Sequence, residues 1–234
     1  RKNIKKTELI KVSLNNINLF DSIHLINPQY FKGQASNYLV PEIEYKGNYD
    51  DVDNAMYPLK GAKYQLILSK RGLGWSGDVN RLFASAYAKF YKPLGRDWYG
   101  SFRLSGQIMF PFDQPYYNTK AIGYSNDYIR GYEFYVIDGV ASFIARADLK
   151  KKLFHISLPT LLRQENYRRI PFTFYAKIFA DAGAAYNRKQ TELGNTLQIG
   201  TGVGIDIVTL YDLAVSINFG INKMGETGYY LHKE

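Results

Sequence analysis

Residues 196–208 read Thr-Leu-Gln-Ile-Gly-Thr-Gly-Val-Gly-Ile-Asp-Ile-Val, and this stretch decides the fold class. Its odd positions are mainly aliphatic, whereas its even positions up to Asp206 are glycine or polar residues. Successive side chains of a β-strand point to opposite faces, so this alternation predicts a strand with one apolar and one polar face. It does not match an amphipathic helix, whose apolar residues recur every three or four positions.

The same alternation recurs along most of the chain and predicts about ten strands. They are about 9 to 13 residues long, whereas the common strand of a globular protein has about 5 to 6. A strand that crosses a bilayer at a tilt needs about 9 to 11 residues, which these segments provide. The predicted strands cover residues 8–19, 38–49, 61–71, 81–91, 98–110, 140–153, 172–186, 196–208 and 212–222, followed by a short final strand from Thr227.

The composition agrees with an all-β protein and removes several classes of function. The 234 residues include 21 Tyr and 14 Phe, which suit the half-buried surface of a sheet, and no Cys. The lack of cysteine excludes disulfides, thiolate metal sites and cysteine nucleophiles. No stretch of about 18 consecutive apolar residues is present, which excludes a transmembrane helix but not a transmembrane barrel. The net charge of +9 would suit a nucleic acid or an anionic membrane, but the charges are dispersed and no nucleic-acid partner is predicted.

The two predicted faces differ in bulk, and this difference favours a membrane barrel over a soluble one. The polar face is rich in Gly, Ser, Asn and Lys, while the apolar face carries large aliphatic and aromatic side chains. A soluble β-sandwich or lipocalin-like barrel, the alternative interpretation, would bury that bulky face inside. We therefore predict an all-β fold, an antiparallel transmembrane β-barrel with hydrocarbon outside and water within.

Several motifs follow one another in an order that points to a known family. The long segment at about residues 110–138, between two predicted strands, contains Tyr128-Ile129-Arg130-Gly131-Tyr132. The next strand carries Asp148-Leu149-Lys150, and the one after it carries Phe179-Ala180-Asp181-Ala182-Gly183. Together with the Gly-x-Gly-x-Asp strand at residues 202–206, these motifs resemble the Omp85 superfamily, the BamA/TamA-like outer-membrane assembly factors and translocation pores.

The residues themselves suggest how the long segment is held. Asp148 and Asp181 are expected to point into the same interior from adjacent strands, where two carboxylates repel each other unless a cation joins them. The guanidinium of Arg130 has the forked geometry that bridges two such groups. The alternative interpretation is an exposed loop arginine beside a turn glycine.

The resemblance implies the same arrangement in more detail. In the family, a long loop with an Arg-Gly-aromatic tip folds back into the barrel, and its arginine docks on an acidic Phe-x-Asp-x-Gly strand. Transferred to this sequence, the loop latch is Arg130, Gly131 and Tyr132, the acidic partners are Asp148 and Asp181, and the motif strand contributes Phe179 and Gly183.

The resemblance extends over about residues 57–234 and includes Tyr57-Pro58-Leu59-Lys60-Gly61, which is similar to a strand-opening Pro-x-x-Gly of the family. It implies that residues 1–234 form the C-terminal portion of a sixteen-stranded barrel, with the N-terminal strands and the periplasmic POTRA domains absent from this chain. Two features depart from the family pattern. Asp148 stands where many relatives carry Glu, and the chain ends at Glu234 rather than on an aromatic residue.

By this resemblance, the protein is expected to be an assembly factor that folds and inserts β-barrel proteins into the bacterial outer membrane. The expected partners are membrane lipids, unfolded outer-membrane clients and accessory assembly subunits. No enzyme activity, catalytic residue, cofactor or metal is expected. The alternatives are a polypeptide-translocating pore of the two-partner secretion type or a passive channel, a barrel that anchors a passenger domain such as a patatin-like lipase, and a soluble binding protein.

Other candidate sites are weaker. The 3 histidines are too scattered in the sequence to ligate a metal together. The acidic cluster at residues 50–53 lacks the calcium-loop pattern and is interpreted as a turn. The glycine-rich segment 72–78 is interpreted as an external loop, and segment 154–170 as either an amphipathic docking element or an ordinary excursion.

Overall fold

The computed structural model describes residues 5–27, 30–31, 37–72, 79–124, 127–159, 169–188, 193–209 and 213–233. The strands in these ranges are β1 (Lys5–Asn18), β2 (Asn37–Val52), β3 (Gly61–Arg71), β4 (Arg81–Gly95), β5 (Trp98–Phe110), β6 (Lys120–Ile122), β7 (Ile137–Asp138), β8 (Ala141–Pro159), β9 (Arg169–Tyr186), β10 (Gln198–Thr209), β11 (Ala214–Asn222) and β12 (Thr227–Lys233). Ten of them form one antiparallel sheet in the order β1-β2-β3-β4-β5-β8-β9-β10-β11-β12, and β6 pairs with β7 separately.

The sheet confirms the predicted all-β class and strand number, with differences at the strand ends. β8 continues past the predicted end at residue 153 to Pro159, and β9 begins at Arg169 rather than at residue 172. The described ends of segment 154–170 are therefore strand, whereas residues 160–168 lie outside the described residues, so the choice between a docking element and an ordinary excursion stays a prediction. Residues 73–78 of the predicted external loop also lie outside them.

Short connections explain why most neighbouring strands in the sheet are also neighbours in the sequence. The turn between β4 and β5 is the tightest, and Gly95, Arg96 and Asp97 all have positive φ there. A short helix, α1 (Asp21–Ile26), lies between β1 and β2 and was not predicted. Across the described ranges, no helix has the length and apolar character needed to cross a membrane. The long excursion between β5 and β8, residues 111–140, is called the arm below.

The apolar side chains of the sheet face outward and the polar ones face inward, as the alternation predicts. On β10 the aliphatic side chains remain accessible, with Val203 at 52% and Ile205 at 46% relative exposure. Their polar neighbours are covered: Asp206 is 0% exposed and Ser216 on β11 is 0% exposed. A soluble barrel turns its apolar side chains inward, so this distribution differs from the one expected for the soluble alternative and is the one predicted for a sheet whose outer face meets hydrocarbon.

The sheet curves around the arm without closing on itself. β1 and β12 are its two edges, each paired on one side. Tyr117 of the arm stacks on Phe31, just before β2, with ring centroids 5.0 Å apart. Tyr128, also in the arm, stacks on His232 of β12 at 5.1 Å. The arm therefore spans the concave inner face from one side of the sheet to the other, which fits part of a barrel wall.

The main apolar core lies between the arm and this inner face. Ile129 and Tyr132 of the arm are 0% and 1% exposed and pack with Ile144 of β8 and Ala185 of β9. Smaller clusters lie around Tyr38 near the start of β2 and around Tyr57 in the connection between β2 and β3. Side chains of the connections therefore contribute to each apolar cluster of the interior together with those of the sheet.

Candidate functional site

The tip of the arm is a tight turn that presents Arg130 to the inner face of the sheet. The backbone N–H of Tyr132 donates to the carbonyl oxygen of Ile129 at 2.9 Å, and Gly131 between them has a φ of 94°. That backbone region is costly for residues with a Cβ atom, which explains the glycine. Tyr132 is anchored in the core, so the turn is held on both sides of Arg130.

Arg130 binds two carboxylates from adjacent strands. Its Nε and Nη2 donate to Asp181 Oδ2 and Oδ1 on β9 at 2.8 and 2.5 Å, and its backbone N–H donates to the same Oδ2 at 3.0 Å. Its Nη1 donates to Asp148 Oδ1 on β8 at 2.5 Å. The structure thus brings together the three charged residues of the predicted latch, in the fork-to-carboxylate geometry that makes arginine pairs strong.

The surroundings of Arg130 keep the site dry and charged. Arg130 is 6% exposed and Asp181 is 1% exposed. Burial by itself lowers the pKa of Arg130, but the hydrogen bonds and charges of the two carboxylates outweigh it and raise the pKa above the usual value. The ring of Phe179 lies 4.1 Å from the guanidinium carbon, in a cation–π contact. The arginine is therefore permanently charged and held in place.

Two further side chains complete the site and were not predicted. Arg146 on β8 lies 3.8 Å from Asp181 and also donates to the backbone carbonyl of Tyr128 in the arm. Ser101 on β5 donates to Asp148 Oδ2 at 2.7 Å. A sequence signal exists for Arg146, because position 146 shares the inward parity of position 148, whereas Ser101 meets Asp148 only through the sheet register. That register was unknown from the sequence alone.

Small residues on the neighbouring strands leave room for the arm. A Cβ atom at Gly183 of β9 would lie 3.0 Å from Ile129 Cδ1 and 2.7 Å from the carbonyl oxygen of Phe143. At Gly200 of β10 a Cβ atom would come within 1.7 Å of the carbonyl oxygen of Arg130. The predicted motif residue Gly183 and the unpredicted Gly200 thus form the floor on which the tip of the arm rests.

The arm also reaches the last two strands of the sheet. Asn222 at the end of β11 donates to the carbonyl oxygen of Gly131 at 3.0 Å, and Tyr135 donates to the carboxylate of Glu226 at 2.8 Å. The carboxylate of Glu133 accepts the backbone N–H of Gly131 at 2.7 Å and lies 3.8 Å from His232 on β12. Burial raises the pKa of Glu133 above its ordinary value of 4.5. One segment therefore connects β8 through β12.

The contacts at the site suit a structural role, in which Arg130 holds the arm against the sheet. Each carboxylate at Arg130 already accepts hydrogen bonds from protein donors, so the site has the character of a saturated ionic clamp. In the part of the chain that the structure describes, no group of three or more His, Cys, Asp or Glu side chains is arranged to hold a metal. Asp53, from the predicted acidic turn, accepts backbone N–H groups from Leu59 and Lys60 at 3.0 and 3.1 Å.

Comparisons with known proteins give a match in fold. No protein-family profile and no curated protein matches the sequence. Among solved structures, the chain is similar to the crystal structure of BamA from Haemophilus ducreyi lacking POTRA domains 1–3, with a TM-score of 0.61 and 12% identity. The match covers 99% of this chain and 50% of that chain, so this chain spans about half the length of its structural relative. The predicted resemblance is thus confirmed at the level of the fold, an antiparallel sheet of the BamA barrel type.

Proposed function

We propose that this chain is part of an Omp85-type barrel that folds and inserts other β-barrel proteins into the bacterial outer membrane. The observation that carries the proposal is the arm pinned by Arg130 to Asp181 and Asp148 on the inner face of a sheet whose outer face is apolar. The proposed position of the chain, in the C-terminal portion of a sixteen-stranded barrel, stays a prediction.

The outer face supports a location in the outer membrane. In hydrocarbon every backbone N–H and C=O needs a protein partner, which is why barrels rather than open sheets cross membranes. The described sheet has two open edges, β1 and β12, so the proposal requires further strands to pair with them. Membrane lipids are then the partners of the outward-facing aliphatic side chains, such as Ile178 at 54% exposure.

The contacts on the inner face support a barrel in which one part of the wall is rigid and another part opens. Through Arg130 and Gly131 the arm ties β8 to β11 into one rigid wall, so deformation concentrates elsewhere in the barrel. A barrel that opens at one seam exposes unpaired backbone groups, which an unfolded strand of a client can join. In this mechanism Arg130 braces the wall, and no covalent bond is made or broken. Unfolded outer-membrane clients and accessory subunits are the proposed protein partners.

A polypeptide-translocating pore is the second candidate, because the inner face retains open space. A cavity of about 700 Å³ lies between the arm and β2 to β5. Its lining includes the cations Lys46, Lys63, Lys89 and Arg103 together with Asp127. A polar, water-filled interior of this kind is typical of barrels that conduct.

Reconstitution separates the two functions. The full-length protein containing this chain is placed in liposomes, an unfolded barrel client is added, and its folded fraction is followed by heat-modifiable gel mobility. We expect the protein to accelerate insertion and Arg130→Ala to remove most of that acceleration, since breaking a buried ion pair costs about 3–5 kcal/mol. Lys46→Ala, which removes an inward-facing cation of β2, is the matched control and retains the activity.

The same liposomes test the second candidate. If they pass a secreted polypeptide but do not accelerate client insertion, the protein is a translocating pore and the assembly role is wrong. If they do neither, a barrel that anchors a passenger domain becomes the better interpretation.

A further inference from the structure

The connection between β2 and β3, residues 53–60, crosses the inner face of the sheet; we call it the strap. The hydroxyl of Tyr57 donates to Asp206 Oδ2 on β10 at 2.7 Å, and its ring lies 5.1 Å from that of Tyr175 on β9. In the sheet, β4, β5 and β8 lie between β3 and β9. Four spacings of about 4.8 Å therefore separate β3 from β9, which makes the distance between them along the sheet about 19 Å. The strap therefore crosses the concave side directly instead of following the curve of the sheet.

Local hydrogen bonds give the strap its shape. Asp53 Oδ1 accepts the backbone N–H groups of Asn54, Leu59 and Lys60 at 2.9, 3.0 and 3.1 Å. Asn54 Oδ1 accepts those of Met56 and Tyr57 at 2.8 and 3.0 Å. Side chains of Asp and Asn commonly fix turns in this way. Tyr57 is thus presented from a preorganised turn rather than from a loose loop.

The surface that receives Tyr57 is a buried ionic network. Asp206 Oδ1 lies 2.7 Å from Lys177 Nζ on β9, and Asp206 Oδ2 lies 3.0 Å from Lys150 Nζ on β8. Lys177 also donates to Ser216 Oγ on β11 at 2.5 Å. The side chains of Asp206 and Lys177 are 0% exposed. A buried ion pair of this kind is stable only when its remaining hydrogen bonds are also satisfied.

Tyr57 contacts this network in two ways. Its hydroxyl donates to Asp206 Oδ2, and its ring lies 4.3 Å from Lys150 Nζ in a cation–π contact. Tyr57 is 5% exposed, and Ala214 of β11, at 1%, belongs to the same apolar cluster. The network and the strap therefore stabilise each other.

We propose that the strap is a second latch, with Tyr57 as its positioning residue and the network of Lys150, Asp206 and Lys177 as its seat. On β10 this seat lies toward the opposite end from Gly200, where the arm rests. The cavity of about 700 Å³ lies between the two, with Met56, Tyr57 and Pro58 of the strap on one side and Asp127 of the arm on the other. The cavity is thus bordered by the strap at one end and by the arm at the other, and widening it at the strap end requires the strap to move.

This inference rests on the proposed barrel but not on the insertion activity. Because this chain contains 0 Cys, Ala214→Cys introduces the single thiol of this chain beneath the strap, and labelling of the unsubstituted protein gives the background. The introduced thiol is labelled with a water-soluble maleimide in the full-length protein in liposomes. With Tyr57 in place we expect slow labelling. Tyr57→Ala is expected to accelerate labelling about tenfold or more, since losing a hydrogen bond to a charged group shifts a local opening equilibrium by that order.

Two matched variants complete the experiment. Met56→Ala truncates an exposed neighbour on the same strap and is expected to leave labelling slow. Tyr57→Phe keeps the ring over Lys150 but removes the hydroxyl donor, so it is expected to give an intermediate rate, and it replaces Tyr57→Ala if that variant does not fold. Equal labelling rates with Tyr57 and with its substitutions, or the same acceleration by Met56→Ala, would overturn the proposal.

Conductance of the same proteins in planar bilayers gives an independent readout. Tyr57→Ala is expected to raise the mean conductance, and combining it with Arg130→Ala is expected to raise it further, because the two closures act at different ends. An unchanged conductance in Tyr57→Ala contradicts the second latch. Client insertion is scored separately: if the unsubstituted protein does not accelerate insertion while Tyr57→Ala alters labelling, the assembly role is wrong and the second latch stands.

Discussion

The carbonyl oxygen of Arg130 occupies the space that a side chain at Gly200 would need, since a Cβ atom there would lie 1.7 Å from it. The tip of the arm therefore rests on the bare backbone of β10 while its guanidinium reaches across to β8 and β9. Because backbone atoms cannot move aside as a flexible side chain can, the fit between these two residues decides whether the arm is seated.

Gly200→Ala is accordingly expected to displace the arm tip while leaving the strands paired. Susceptibility of the arm to a protease added to the folded protein measures the displacement. Gly220→Ala on β11 is the matched control, because a Cβ atom there would meet Gly131 and Phe179 at ordinary contact distances of 3.6 Å. Equal protease resistance of the two variants would show that the seat at Gly200 is not required.

Substitutions at Arg130 are expected to destabilise the barrel in a graded order. Arg130→Ala removes the cation that joins two buried carboxylates, at a cost of about 3–5 kcal/mol, and Arg130→Lys costs less but cannot bridge both groups with one point charge. Adding Asp181→Asn to Arg130→Ala should lose less than the sum of the two single effects, because the partners share one interaction. Unfolding in denaturant, followed by gel mobility, gives these free energies. Additive losses would contradict the direct pairing.

Charge placed on the outer face tests whether that face meets hydrocarbon. Val203 lies in the middle of β10 with its side chain outward, and Val203→Lys is expected to cost about 2–4 kcal/mol of folding free energy in bilayers. Leu213→Lys, just before β11, lies near the end of the strand and is expected to cost about 0–1 kcal/mol. Folding titrations in liposomes measure both. A Val203→Lys protein that folds equally well and no longer requires detergent would contradict a membrane-facing surface.

The pH dependence of arm docking is expected to follow Glu133. Burial raises its pKa in the docked arm above the ordinary 4.5, so the docked state binds the proton more tightly than the released state. Docking should therefore strengthen as the pH falls through the interval above 4.5 and weaken as the pH rises. Glu133→Gln should remove this trend and hold the arm more firmly at neutral pH, as measured by amide hydrogen exchange of the arm.

Glu226 provides the control of opposite sign for that experiment. Its hydrogen bonds with Asn222 and Tyr135 lower its pKa, so its contribution is present at higher pH and lost as the pH falls. Glu226→Gln should therefore leave the strengthening of docking at lower pH intact or make it steeper. A pH trend that disappears in Glu226→Gln but persists in Glu133→Gln would reverse the assignment.

The predictable part of the site follows from parity along single strands. Asp148 and Asp181 could be placed on the inner face because side chains alternate along β9 and along the part of β8 that precedes its irregularity between Lys152 and Phe154. The contributions of Ser101 and Gly200 were not predictable, because they depend on how separate strands are aligned and on where the arm lands. Tyr57 was noted in a strand-opening motif, but its contact with Asp206 joins residues 149 positions apart and follows from curvature.

By itself, the sequence determined that this protein is a sheet with an apolar outer face and a polar inner face, because the alternation of apolar and polar residues assigns each side chain to one of the two faces. It also placed a cation on the long connection and carboxylates on the strands that follow. The tertiary structure decided which groups meet: how far β8 and β9 extend, how Arg146 joins Asp181, and how the strap crosses to β10. Those outcomes depend on register, twist and curvature. These are properties of many strands together and cannot be read from the sequence of any single strand.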